Sequence, residues 1–162
     1  MTPAAEISLL VLDVDGVLTD GRLWYGADGE SLKAFDVRDG HGIKSLVAAG
    51  VGVAVISGRR SAAVTARMRE LGVSDVAQGV GDKARALAEL LKRAAIDARR
   101  VACLVDDTPD LGLMAAVGLP AAVADAHPEV LAAAKHVTRS PGGRGAVREF
   151  CDYLLAARGR TR

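Results

Sequence analysis

Residues 7–16 read Ile-Ser-Leu-Leu-Val-Leu-Asp-Val-Asp-Gly, an apolar run that ends in two carboxylates. The length and apolar content of residues 7–12 are typical of a fully buried strand in a parallel sheet. In open parallel sheets, functional groups collect beyond the carboxyl ends of the strands. This stretch therefore predicts a first strand that brings Asp13 and Asp15 to the functional edge of a sheet.

The remainder of the chain alternates between short apolar runs and helical patterns. Such alternation predicts an α/β fold with a doubly wound, mainly parallel, Rossmann-like sheet and right-handed crossovers. Further strands are predicted over residues 51–56, 75–77, 101–105, 121–124 and 136–138. Helical patterns begin at Asp39 and Asp82, run through Val64, begin near Leu111 and after Pro128, and the last one ends at Ala157.

The alternation of strands and helices is interrupted after the first strand. Two short extended segments flank the turn-forming residues 26–30, which predicts a β-hairpin with a longer loop across about residues 20–37. No linker or low-complexity stretch divides the chain, so we expect a single domain over residues 1–162. The basic residues at 158–162 are expected to form a solvated tail.

The amino-acid composition argues against several classes of function. The 162 residues are half apolar and carry 21 basic against 20 acidic side chains, a net charge of +1, which argues against nucleic-acid and membrane-surface partners. Aromatic residues make up 3% of the chain, which argues against a platform that stacks bases or sugars. Cys103 and Cys151 lie in apolar patterns and are expected to be buried thiols. The first six residues show no targeting pattern, so we expect a cytoplasmic protein.

The polar residues at the predicted strand ends can converge on one crevice. They are Asp13, Asp15, Ser57, Asp106, Asp107 and Asp110, with Lys83 opening a helix between them. Clustered carboxylates repel one another and need a cation, and oxygen ligation with water remaining is what magnesium prefers. Ser57 and Lys83 suit a phosphate group.

In order and spacing, these residues resemble the four motifs of the haloacid dehalogenase superfamily of phosphatases. The motifs are Asp13-Val14-Asp15-Gly16-Val17, Ser57-Gly58-Arg59, Lys83 and Asp106-Asp107-x-x-Asp110. Residues 18–21, 33–35, 37–40, 124–128 and 142–149 are similar to the subfamily that hydrolyses 3-deoxy-D-manno-octulosonate 8-phosphate. The chain departs from the family pattern at Val105, where a small residue is usual, and at Pro109.

The resemblance implies a Mg²⁺-dependent phosphomonoesterase that acts through an aspartyl-phosphate. Asp13 would be the nucleophile, and Asp15 would be the general acid and then the general base. Asp13, the Asp15 main-chain carbonyl and Asp106 would hold Mg²⁺.

The resemblance also implies the groups around this centre. Ser57, Gly58 and Lys83 would bind the phosphoryl oxygens. Asp107 and Asp110 would position Lys83 and the metal-bound waters, with Asp110 as an alternative direct ligand.

Candidate residues for the sugar acid are mostly cationic, because guanidinium groups bind carboxylates in a bidentate manner. They are Arg59, Arg144 and Arg148, with Asp15 at the leaving oxygen and with Arg38 and His41 contributing across a subunit boundary. Too few residues separate the motifs for a cap domain. A site without a cap is open to water, so either the substrate is large or a neighbouring subunit covers the site. The resemblance implies the second, through a homotetramer in which the hairpins meet.

The expected function is hydrolysis of 3-deoxy-D-manno-octulosonate 8-phosphate in lipopolysaccharide precursor synthesis. Three alternatives stay open from the sequence. The substrate can be a related nine-carbon sugar acid phosphate. The chain can also be a phospho-acceptor signalling domain, or a non-catalytic assembly module of the same fold.

Overall fold

The computed structural model describes residues 4–159. Its eight strands are β1 (Leu9–Leu12), β2 (Trp24–Gly26), β3 (Gly29–Leu32), β4 (Gly52–Ser57), β5 (Asp75–Gln78), β6 (Val101–Val105), β7 (Leu119–Ala122) and β8 (His136–Val137). Six of them form one sheet in the order β5-β4-β1-β6-β7-β8, with every neighbouring pair parallel. The predicted doubly wound α/β class is confirmed.

Within residues 4–159, six helices connect and cover the strands. They are α1 (Val37–Ala48), α2 (Ala62–Leu71), α3 (Lys83–Ala94), α4 (Leu111–Ala115), α5 (Pro128–Ala133) and α6 (Ala146–Gly159). The helix α1 packs against α2 and α6, and α4 packs against α3 and α5. Helices therefore cover both faces of the sheet, which explains why its central strands are apolar throughout.

Local signals define the helix ends. The Asp36 side chain accepts a hydrogen bond from the main-chain nitrogen of Arg38 at the start of α1, and Asp82 does the same for Arg85 in α3. Such caps satisfy main-chain donors that the first turn leaves unpaired. At the other end of α2, Gly72 adopts a φ of 76°, the left-handed conformation that closes a helix at low cost in glycine.

The strand order reverses at β1. From β1 the chain moves one way through β4 and β5, and then crosses over to β6, β7 and β8. Leu12 pairs with Val55 of β4 on one side and with Leu104 of β6 on the other. The carboxyl end of β1 is therefore the switch point of the sheet, where a crevice opens between the two halves.

The hairpin differs from its prediction. β2 and β3 pair antiparallel, but Gly26 pairs directly with Gly29, so only Ala27 and Asp28 form the turn. The predicted longer loop is wrong because Gly29, at a φ of 105°, takes up a conformation that allows the strands to pair close to the turn.

The C-terminal end is more structured than expected where it is described. Residues Ala4–Glu6 form a 3₁₀ turn, and α6 continues to Gly159. The Arg158 guanidinium donates to the main-chain oxygen of Ile7 at 3.0 Å, so the solvated tail does not begin at residue 158. The rest of the predicted tail, residues 160–162, lies outside the described residues.

Both cysteines are buried, as predicted. Burial raises the pKa of each thiol to about 12, so neither is a thiolate at neutral pH. None of the helices within residues 4–159 combines the length and the apolar character that crossing a membrane requires.

Candidate active site

The turn after β1 carries the first two candidate side chains. The main-chain nitrogen of Asp13 still donates to Leu104 of β6, so this residue is held by the sheet itself. The oxygen of Val14 then accepts from Leu18 and Thr19, which closes a tight turn. Asp13 is 7% exposed, whereas Asp15 is partly exposed.

Gly16 allows the second carboxylate loop to approach this turn. It has a φ of 86°, and a Cβ atom built at this position would collide with the carboxylate of Asp106. The absence of a side chain therefore lets the loop after β6 lie against the loop after β1.

Three carboxylates meet at the switch point. One oxygen from each of Asp13, Asp106 and Asp110 lies within 4.8 Å of the other two. The ammonium of Lys83, the first residue of α3, lies 3.0 Å from Asp13 and 2.5 Å from Asp110. Three acids therefore face one base in a largely buried space.

Burial and mutual repulsion shift the ionisation of the cluster. Burial, followed by the charges of Asp13 and Asp110, raises the pKa of Asp106 to about 8. Burial and the charge of Asp110 raise the pKa of Asp13 to about 6, although Lys83 opposes the shift. Burial alone would lower the pKa of Lys83, but the two neighbouring carboxylates outweigh it and raise that pKa. Ionising the whole cluster at neutral pH therefore requires additional positive charge.

The cluster fits a divalent cation. Oδ1 of Asp106 is buried and has no hydrogen-bond partner within residues 4–159, and one oxygen of this carboxylate lies within 4.8 Å of an oxygen of Asp13 and of Asp110. An orphaned carboxylate oxygen in an all-oxygen donor set with excess negative charge matches a hard cation such as Mg²⁺.

The second motif follows β4 at the same edge. Ser57 is 2% exposed and ends the strand, while Gly58 and Arg59 are exposed. The main-chain oxygens of Ser57 and Arg59 accept from Val80 and Gly79, which ties this loop to the loop before α3. The Ser57 hydroxyl thus lies on the next strand to Asp13.

Asp107 and Asp110 have different environments. Asp107 is exposed and accepts a hydrogen bond from the main-chain nitrogen of Thr108 at 2.7 Å, which starts a 3₁₀ turn. Asp110 is 1% exposed and contacts Lys83. The contact that we predicted for both residues is therefore found for Asp110, whereas Asp107 caps its own turn.

Sequence reasoning missed two residues of the hairpin. The Lys33 ammonium lies 2.5 Å from Asp15 Oδ1 and 3.1 Å from Glu30. Glu30 also accepts from Arg59 at 2.8 Å, and Arg59 Nε lies 3.9 Å from Asp15 Oδ2. Arg59, together with Lys33, lowers the pKa of Glu30. The only sequence feature that pointed to Lys33 was its position at the start of residues 33–35, a segment similar to the phosphatase subfamily.

Three of the residues predicted for the sugar acid lie together elsewhere. Arg38, Arg144 and Arg148 line a cavity of about 710 Å³ beside β8, and the carboxylate cluster does not line it. Arg38 donates to the main-chain oxygen of Arg144 at 3.3 Å, and Arg148 pairs with Asp152 at 2.8 Å. His41 is exposed on α1. Among the predicted arginines, all of which lie within residues 4–159, Arg59 alone forms an ion pair with Asp15.

The fold and the site define a haloacid dehalogenase-like hydrolase, and the family of that description matches residues 72–150. The chain is 49% identical to the 3-deoxy-D-manno-octulosonate 8-phosphate phosphatase of Escherichia coli strain K12, over 97% of this chain and 84% of that protein. It is 50% identical to the Yersinia pestis phosphatase of the same name, over 95% and 82% of the two chains. The chain belongs to the family of 3-deoxy-D-manno-octulosonate 8-phosphate phosphatases.

Solved structures agree with this assignment. A Moraxella catarrhalis 3-deoxy-D-manno-octulosonate 8-phosphate phosphatase, solved with magnesium, phosphate and a KDO molecule, superposes with a TM-score of 0.94 at 39% identity. The superposition covers 97% of this chain and 90% of that one. A cobalt-bound phosphatase from Haemophilus influenzae gives a TM-score of 0.94 at 44% identity, covering 98% and 92%.

Proposed function

We propose that this chain hydrolyses 3-deoxy-D-manno-octulosonate 8-phosphate to the free sugar acid and inorganic phosphate, with Mg²⁺ as cofactor. The observation that carries the proposal is the buried cluster of Asp13, Asp106 and Asp110 around Lys83 at the switch point of the sheet. Identity of about half the residues to phosphatases of that name supports the substrate.

Asp13, the main-chain carbonyl of Asp15 and Asp106 would hold the Mg²⁺ ion. Asp110, which already binds Lys83, would hold its waters or add a ligand. When bound, the cation offsets the repulsion between the anionic nucleophile and the anionic phosphate and stabilises charge on the transferring group.

Asp13 acts as the nucleophile. Its carboxylate attacks phosphorus, the bond from phosphorus to the sugar oxygen breaks, and an aspartyl-phosphate forms. Asp15 gives its proton to the departing sugar oxygen and then takes a proton from the water that attacks the intermediate. Phosphate leaves and the Asp13 carboxylate is restored.

Ser57 and Lys83 orient the phosphoryl group. Lys83 is fixed between Asp13 and Asp110, so its ammonium is directed toward the nucleophile before substrate arrives. The Ser57 hydroxyl and the main chain at Gly58 supply further donors to the phosphoryl oxygens. Such preorganised positive groups favour the charge that develops during transfer.

Arg59 is the arginine best placed for the sugar carboxylate. It lies beside Asp15, is exposed, and carries a guanidinium suited to bidentate binding. Arg144 and Arg148 remain proposals for the same carboxylate. Arg38 and His41 remain proposals for contacts across a subunit boundary.

The hairpin supports the proposed homotetramer. Trp24 and Leu32 pair across β2 and β3 and are 54% and 64% exposed, and exposed apolar side chains that lie together mark interaction sites. Hairpins that meet in the assembly would bury this surface and let a neighbouring subunit cover the open site. The proposal includes a cytoplasmic location and a role in lipopolysaccharide precursor synthesis, with no nucleic-acid or membrane partner.

The test is phosphate release from 3-deoxy-D-manno-octulosonate 8-phosphate, nine-carbon sugar acid phosphates and hexose phosphates, with Mg²⁺ and with EDTA. We expect Mg²⁺-dependent release that is fastest with the eight-carbon substrate. Asp13→Asn should release no phosphate, while Glu89→Gln, an exposed change on α3, should behave as wild type. Faster release from a nine-carbon substrate would overturn the proposed substrate assignment. If no phosphate ester is hydrolysed, the chain is better explained as a phospho-acceptor or assembly domain.

A further inference from the structure

Lys33 is a lysine with an almost fully buried side chain in an exposed segment. Its side chain is 1% exposed, whereas its neighbours Leu32 and Ala34 are exposed. An ammonium group removed from water costs free energy unless anions compensate it. The partners of this charge, Asp15 and Glu30, therefore determine where the side chain lies.

The ammonium holds one side of the Asp15 carboxylate. Lys33 Nζ lies 2.5 Å from Oδ1, and this hydrogen bond joins the end of the hairpin to the turn after β1. The other oxygen, Oδ2, faces Arg59 at 3.9 Å. One oxygen is thus occupied by the protein, and the second is directed to the side where the substrate is proposed to bind.

Glu30 keeps Lys33 in place. It accepts from Lys33 at 3.1 Å and from Arg59 at 2.8 Å, so it bridges the two cations that flank Asp15. Asp15, Lys33, Glu30 and Arg59 thus form a ring of alternating negative and positive groups, and each restricts the freedom of the next. Charge-assisted bonds of this kind are stronger and more directional than neutral ones.

We propose that Lys33 is a positioning residue for the proposed general acid Asp15. By holding Oδ1, it fixes the plane of the carboxyl group so that Oδ2 meets the departing sugar oxygen. The inference rests on the proposed function, and it adds a hairpin residue to a reaction otherwise carried by the sheet. In the step concerned, the Asp13 oxygen bonds to phosphorus as the bond from phosphorus to the sugar oxygen breaks, and the Asp15 proton passes to that oxygen.

The basicity of the leaving group distinguishes this role from a purely structural one. A sugar alkoxide is a poor leaving group and needs the proton as its bond breaks, whereas p-nitrophenolate departs readily without one. The ratio kcat/KM reports the first irreversible step, here transfer to Asp13, and excludes the later hydrolysis in which Asp15 acts again. A residue that acts through the acid should therefore matter for alkyl phosphates and not for p-nitrophenyl phosphate.

The experiment measures kcat/KM for both kinds of substrate in Lys33→Met, Lys33→Arg and Asp15→Asn. Lys33→Met should lower kcat/KM for the sugar phosphate by about 10- to 100-fold and for p-nitrophenyl phosphate by less than about 3-fold. Lys33→Arg should recover part of the loss. The matched control Lys92→Met, an exposed change on α3, should leave both values unchanged.

A double-mutant cycle completes the test. If Lys33 acts through Asp15, Lys33→Met should cause no further loss of kcat/KM in the Asp15→Asn background, because the effects of substitutions at interacting residues are not additive. Equal losses with the two substrates, or additive losses in the cycle, would overturn the positioning role. If Lys33→Met does not fold, as judged by its melting temperature, Glu30→Gln is tested in its place. It should show the same dependence on the leaving group, with a smaller loss in kcat/KM.

The outcomes separate this inference from the proposed substrate. If the wild type hydrolyses p-nitrophenyl phosphate and another alkyl phosphate but not the eight-carbon substrate, the substrate assignment fails and the comparison proceeds with that alkyl phosphate. If the wild type hydrolyses no phosphate ester, both proposals fail together.

Discussion

The Lys83 ammonium lies 3.0 Å from the Asp13 carboxylate, although the two residues come from α3 and from the turn after β1. Asp110 shares the ammonium at 2.5 Å, so the lysine is directed into the carboxylate cluster. It opposes the burial that raises the pKa of Asp13 to about 6. Lys83 thus helps to keep the proposed nucleophile ionised and also provides a donor for the phosphate.

Replacing Lys83 by methionine should remove both effects. We expect kcat/KM for the sugar phosphate to fall by at least about 10²-fold, because a preorganised charge at the transferring group is lost. In the metal-free protein the pKa of Asp13 should also move upward, since its carboxylate loses its nearest cation. The measurements are kcat/KM with saturating Mg²⁺ and the melting temperature in EDTA, which should fall more steeply with rising pH in Lys83→Met than in wild type; Lys92→Met is the control. A melting temperature that depends on pH as in wild type would show that Lys83 contributes only to phosphate binding.

The stability of the metal-free protein should depend on Asp106 and on pH. An unfolded Asp106 would lose its proton near its ordinary pKa of 3.8, whereas the folded residue keeps it to about 8. Between these values the folded state binds more protons, so its stability falls as pH rises. In EDTA, Asp106→Asn should therefore melt higher than wild type, by a margin that grows from pH 5 to pH 8.

Addition of Mg²⁺ should reverse this order. A bound cation stabilises the folded wild type by mass action, while Asp106→Asn has lost a proposed ligand and should gain little. The exposed turn variant Asp28→Asn serves as control and should follow wild type in both buffers. A melting-temperature difference that stays constant across pH would contradict the buried, repelled carboxyl group at Asp106.

The main part of the site follows from local sequence signals. Asp13, Ser57 and Asp106 each come directly after an apolar run, and parallel strands that alternate with helices place such residues at one edge. The structure brings them together because β1 lies between β4 and β6. Even Pro109 fits, since it lies in the first turn of a 3₁₀ helix, where no main-chain donor is needed.

The hairpin contacts could not be predicted in the same way. Lys33 contacts Asp15, and Glu30 contacts Arg59, through ion pairs that join the hairpin to the turns after β1 and β4. No periodicity encodes such contacts between segments far apart in sequence. The clustering of Arg38 with Arg144 beside β8 likewise depends on how the loop before α6 packs against α1.

Asp13→Asn and Asp15→Asn should fail at different steps. Without the Asp13 nucleophile, phosphate release should fall by at least about 10³-fold and no covalent adduct should form. Without the Asp15 base, hydrolysis of the intermediate should slow, so a phosphorylated protein should accumulate. Intact-mass spectrometry after acid quenching with p-nitrophenyl phosphate distinguishes the two variants. An adduct on Asp13→Asn would overturn the assignment of the nucleophile.

The exposed face of the hairpin should govern assembly. Trp24→Glu places a charge beside Leu32, its exposed cross-strand partner, so we expect it to dissociate the proposed tetramer. Light scattering coupled to gel filtration measures the mass. Val47→Glu, a similar change on an exposed position of α1, should keep the mass of wild type. A tetramer that persists in Trp24→Glu would place the interface elsewhere.

Two glycines with nearly the same φ allow the effect of a close contact to be separated from the effect of backbone conformation. Gly16 has a φ of 86° and Gly50 a φ of 82°, so alanine should cost each about 1–2 kcal/mol of stability through the left-handed conformation. Only at Gly16 would the new Cβ also collide with the Asp106 carboxylate, since nothing lies within 4 Å of the same position at Gly50. Urea unfolding in EDTA should therefore show a loss in both variants. Titration with Mg²⁺ should show weakened binding in Gly16→Ala alone. That variant alone should also lose about 10²-fold in phosphate release, because displacing metal ligands lowers catalysis as well as stability. Equal Mg²⁺ affinity in the two variants would mean that the approach of Gly16 to Asp106 does not shape the metal site.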